Sequence, residues 1–164
     1  MTKILLSLHV LAAIVAVGPV TVAASMFPAA ARRVPLAAAV GGADGAGAGD
    51  AGGVGTVRLL HRICRVYAGL GIAVPVLGFA TAAAMGVLSD AWLVASITLT
   101  AVAAGLLAAF VLPRQEELLE ELADGRPVER ARTARLAMFT GVFNLLWATV
   151  TVLMIVRPGS TTGA

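Results

Sequence analysis

The chain has 164 residues, 59% of them hydrophobic and only 13% charged, where an average soluble domain has about 45–50% and about 25%. This composition excludes a disordered chain, a disulfide scaffold and most soluble folds. It points to an all-α, polytopic membrane protein built as one unit. Twelve Lys+Arg against nine Asp+Glu give a formal charge of +3. The basic residues flank apolar runs, so they read as membrane topology rather than nucleic-acid binding.

A hydrocarbon core of roughly 30 Å needs about 20 apolar residues in a helix. Four segments qualify: residues 4–27, 66–88, 91–112 and 136–156. In lipid each must be helical, because unpaired backbone groups there cost several kcal/mol. The expected fold is a four-transmembrane-helix bundle. The first span holds one ionisable residue, His9, and the other three hold no charge. Gly18-Pro19 in the first span and Pro75 in the second should bend their helices.

Val22-Ala23-Ala24 before Ser25 fits a signal-cleavage pattern. The apolar run is longer than a usual signal core, and Arg32-Arg33 follow it, so the first span is expected to stay as a helix. Residues 41–55 hold eight Gly and read as a flexible cytoplasmic linker. His61 and Cys64 lie just before the second span, among Arg58, Arg62 and Arg65. His61 is expected to meet anionic headgroups. The lone Cys64 matches no metal spacing and reads as a small packing residue. Ser89-Asp90 makes a tight turn, and either residue can cap the third span.

The connection 113–135 is charged. Glu116, Glu117, Glu120 and Glu121 alternate with Leu118, Leu119 and Leu122, as in a short amphipathic helix begun by Pro113. It should rest on the membrane surface or on a partner. The first and third connections carry ten of the twelve basic residues, and the middle turn carries none. The positive-inside rule then puts those two connections in the cytoplasm and both termini outside a plasma membrane.

Lipid tails are as apolar as Leu, so such helices associate through close contacts of small residues. Gly78, Ala82 and Gly86 share one face of the second span. Ala101 with Gly105, and Ala104 with Ala108, do so on the third. On the fourth span, Thr140, Asn144, Trp147 and Thr151 repeat at four, three, four, a polar stripe expected to face the interior. An ionisable residue in a span is a functional candidate by default. His9 is therefore the leading cofactor-binding and metal candidate. With Met85 and Met154 it could make a soft copper site or a His/Met haem site. No catalytic constellation is present.

Leu8-His9-Val10-Leu11, Val17-Gly18-Pro19 and the ending Val152 to Gly159 resemble bacterial integral membrane proteins of a domain-of-unknown-function family. That family is loosely similar to the copper-resistance-D (CopD) and HemJ-like membrane proteins. The Ala-rich, Arg-over-Lys composition resembles that of high-GC actinobacterial chains. The resemblance implies about four helices and an early histidine, here His9, tied to haem or copper. The HemJ-like group pairs that His with a Lys in a later span, and no span here carries Lys. The residues therefore favour a non-enzymatic accessory or interaction subunit of a membrane complex, or a homo-oligomer, in the lipid bilayer. The second expectation is a haem- or copper-binding protein using His9.

Overall fold

The computed structural model describes the backbone of residues 2–40 and 42–159 and, within these, the side chains of all but 36–51. It is all-helical: α1 (Thr2–Val40), α2 (Gly42–Leu70), α3 (Ala73–Met85), α4 (Ala91–Leu106), a π-helical segment (Leu107–Val111), α5 (Leu112–Ala123) and α6 (Arg130–Val156). There is no strand among the described residues. These elements line up as four rods long and apolar enough to cross a bilayer: Thr2–Pro35, Gly52–Met85, Ala91–Ala123 and Arg130–Val156. The rods of 34, 34, 33 and 27 residues outrun the apolar spans, because helix continues into the charged ends.

The largest interface joins α1 to α2. On α1 the buried residues Ala16, Val20, Ala23, Ala24, Phe27, Ala31 and Val34 recur every three or four positions, which makes one stripe of a helix. Mostly small side chains let the partner backbone come close. At Gly53 a Cβ atom would sit 3.0 Å from Val34 Cγ2. The glycine-rich segment was expected to be an irregular linker from 41 to 55. Instead α2 is assigned from Gly42, and residues 52–55 are helical. Gly41 itself lies outside the described residues. Tight packing on α1 at Gly53 offsets the poor helix propensity of glycine there.

Pro75, expected to bend the second rod, accompanies an interruption at Gly71–Ile72. It has no N–H to give the Gly71 carbonyl, so Val74 N–H bonds that oxygen instead, at 3.1 Å. Ile72 N–H turns to the Gly69 carbonyl at 3.2 Å. Pro19, by contrast, lies inside an unbroken α1. The rod ends at Gly86, whose φ of 70° caps α3 in the left-handed region. Asp90 takes the N-cap position of α4. Its carboxylate accepts from Trp92 Nε1–H at 3.0 Å rather than capping backbone.

The third rod solves a register problem. From Ala103 onward its buried positions are Ala103, Leu107, Val111, Gln115, Leu118 and Leu122. Steps of four drift about 40° per step around a regular α-helix. The π-helical turn at 107–111 is wider and absorbs that drift, so one face stays inward from α4 to α5. The amphipathic helix begun by Pro113 is present as α5. It is not a separate surface helix: it prolongs the third rod and packs its buried face on α2. Arg65 on α2 reaches Glu116 at 4.0 Å.

Two small-residue patterns do not pack. Ala101, Ala104, Gly105 and Ala108 are exposed, while Ala103 is the buried alanine of α4. Gly78 and Ala82 do face neighbours; Gly86 serves the turn instead.

Candidate functional site

His9 is seated on α3. Its Nδ1 lies 2.9 Å from the Val74 carbonyl oxygen. A carbonyl only accepts, so Nδ1 carries the proton and donates. Nε2 then presents a lone pair when the ring is neutral. The imidazole lies over Gly78, where a Cβ would come within 2.8 Å of the ring. Gly78 is thus required for the ring to sit there. A ring nitrogen fixed by a backbone carbonyl is the usual support of a metal-ligating histidine.

The two methionines have other surroundings. Met154 packs with Val87 on the small cluster of Ala82, Trp92 and Leu93 at the end of the bundle. Ala82 is four residues, or about 6 Å, beyond Gly78 along α3. Met85 is half-buried, seven residues or about 10 Å beyond Gly78. The His9 ring and these sulfurs therefore meet α3 at different levels. Among the described residues no group of three or more His, Cys, Asp or Glu is arranged to hold a metal.

The polar stripe on α6 is partly interior. Thr140 is buried, and Asn144 and Trp147 are half-buried. Asn144 Nδ2 donates to Ser25 Oγ on α1 at 3.0 Å. Trp147 stands edge-to-face with Phe143, centroids 6.3 Å apart. Thr151, expected on the same face, is exposed and donates to the Trp147 carbonyl at 2.9 Å. Val150 takes the inward position in that turn. Thr140 Oγ1, Asn144 Oδ1 and Trp147 Nε1 are buried with no protein partner among the described residues.

A second polar cluster was not anticipated. His61, Gln115 and Cys64 are all buried. His61 Nδ1 donates to Gln115 Oε1 at 3.2 Å, and Gln115 Nε2 donates to Cys64 Sγ at 3.6 Å. His61 therefore does not reach headgroups as expected; it faces α5. The signal was available. His61 and Cys64 fall on the inward stripe of α2 with Val57 and Leu60, and Gln115 lies three and seven residues before the buried Leu118 and Leu122. Gln115 is the one neutral polar residue on the apolar face of α5, among four glutamates.

Beyond this cluster, α5 and α6 are clasped. Arg132 bonds Glu117 Oε2 at 2.7 Å and also Glu121. Arg114 lies 3.8 Å from Glu117. At the opposite end the Arg157 guanidinium lies 5.7 Å from the Trp92 ring centroid, a cation–π contact. No protein-family model, curated protein or solved structure matches this chain.

Proposed function

We propose that this chain is a non-enzymatic accessory subunit of a plasma-membrane complex, in a bacterium, with both termini outside. The observation that carries this reading is the α5 platform. The third rod outruns its apolar span by more than two turns, and its extension is held by ion pairs to α2 and α6. The outward face bears exposed Glu120, which has no ion-pair partner among the described residues, beside Glu116 and Asp124, which pair with Arg65 and Arg126. A rigid, charged ridge of this kind loses little entropy on docking, and its charges select a basic partner surface. A second copy, through Arg58 and Arg62, is one such partner. The test is co-isolation from mild detergent. The reading predicts a particle larger than the monomer that Glu120→Lys reduces to monomer. A strictly monomeric, partner-free wild type contradicts it.

A second reading rests on the His9 seat. Here His9 supplies one imidazole ligand, through Nε2, to haem iron or copper. Val74 holds its other nitrogen, and Gly78 leaves room for the ring. The resemblance to CopD- and HemJ-like proteins agrees with it. The bound group would supply redox or metal-carrying chemistry, while the chain orients the ligand. An absorption spectrum with metal analysis of gently purified protein decides it. A Soret band or stoichiometric copper that vanishes in His9→Ala supports it; colourless, metal-free protein from replete cells refutes it.

A further inference from the structure

A groove of about 290 Å³ opens between the third rod and α6, lined by Phe110, Arg114, Arg132, Arg135, Met138 and Phe139 among others. Its two ends differ in chemistry. Arg114 lies just beyond the third apolar span, and Arg132 and Arg135 lie just before the fourth. Below them Phe110 and Phe139 stack with centroids 5.2 Å apart. Phe110 is 45% exposed and Met138 is 57% exposed. The groove therefore straddles the level at which charged connection meets apolar span. Phe110 belongs to the π-helical turn, a feature frequent at functional sites.

The charges do not balance within the protein. Arg132 is bonded by Glu117 and Glu121, and Arg114 approaches Glu117. Arg135 has no ion-pair partner among the described residues. Three guanidiniums face two carboxylates, which leaves a single positive charge at the mouth of an apolar groove. A phosphodiester carries one negative charge and accepts bidentate bonds from guanidinium. Basic pockets between membrane helices are the recurrent way to hold such headgroups. We propose that this groove binds one anionic phospholipid from the adjacent leaflet. Its phosphate lies against Arg135 and Arg114, and the upper part of one acyl chain lies along Phe110, Phe139 and Met138. A soluble anion would leave the apolar part of the groove empty, and a zwitterionic lipid would bring a second cation beside Arg135 together with its phosphate.

The test uses the full chain in mild detergent, with lipid retention read by native mass spectrometry. The probes are palmitoyl-oleoyl phosphatidylglycerol, the phosphatidylcholine with the same chains, and glycerol 3-phosphate as a soluble anion. The expected result is one retained phosphatidylglycerol, held about fivefold more tightly than phosphatidylcholine. Arg135→Gln should weaken it about fivefold, and Arg33→Gln, on the exposed face of α1, should leave it unchanged. The wild-type comparison of the two lipids needs no variant and stands even if Arg135→Gln folds poorly. Equal retention of both lipids overturns the proposal. So does selectivity that survives Arg135→Gln, or that falls equally in Arg33→Gln. Displacement by millimolar glycerol 3-phosphate also overturns it, because it makes the site one for soluble anions.

Discussion

Gln115 and Gly78 carry more of the local structure than their neighbours. Gln115 bridges His61 and Cys64, and its amide uses both ends to do so. Replacing it by Leu leaves an imidazole N–H buried without an acceptor, a loss of about 1–3 kcal/mol. Gln115→Leu should therefore lower the melting temperature in detergent, while Gln115→Glu keeps an acceptor for His61. An unchanged melting temperature in Gln115→Leu would show that His61 finds another partner. Gly78 is the second such residue. Gly78→Val places carbon where the His9 ring lies, since even a Cβ comes within 2.8 Å. This variant should destabilise the protein, and His9→Ala should recover much of the loss in the double variant. A full, additive loss would mean that ring and glycine do not share the space. Sequence reading picked out His9 for its charge and Gly78 for its size. It did not pair them, because pairing depends on the helix-to-helix register that only packing sets.

At the scale of elements, the π-helical turn and the Arg132 clasp explain how one rod is both membrane span and platform. A π-turn amounts to one extra residue in an α-helix. Deleting the exposed Ala109 should convert 107–111 to regular helix and re-aim Phe110 and everything after it relative to α4. The expected outcome is a protein of unchanged helix content, by circular dichroism, whose α5 no longer presents Gln115 to His61 and which melts at a lower temperature. An unaltered melting temperature would show that α5 contributes little to the bundle. Arg132→Ala releases two glutamates, one of them, Glu121, mostly buried and with a second oxygen already unpartnered. The cost should be about 1–3 kcal/mol, between the values for exposed and buried pairs. Arg132→Lys should recover only part of it, because an ammonium cannot fork across two carboxylates. The helices themselves were legible as four apolar runs, and the amphipathic α5 as a Leu/Glu alternation. A disturbance of the helix at Pro75 was legible too, as an expected bend, since a missing N–H is a local fact. The π-turn was not, because it answers a mismatch between inward positions on α4 and α5 that appears only when both are packed.

For the molecule as a whole, composition already dictated the solvent. With 5% aromatics, close contacts of Ala and Gly join α1 to α2, and Phe27, Phe143 and Trp92 are the rings buried in the clusters among the described residues. Eighteen glycines serve different ends: Gly53 and Gly78 permit close approach, whereas Gly86 and Gly125 permit left-handed backbone at the two turns. Which alanines face inward was less legible, because an Ala-rich helix offers several small-residue faces and packing chooses among them. The account depends on the four rods crossing a bilayer with the α5 platform on the cytoplasmic side. The most direct test is labelling of single engineered cysteines in whole cells with a membrane-impermeant maleimide. The native Cys64 is fully buried and stays silent. Ser89→Cys, in the middle turn, should label from outside intact cells, and Glu120→Cys, on the platform, only after permeabilisation. The opposite pattern, or equal labelling of both in intact cells, would contradict the orientation on which the proposed function rests.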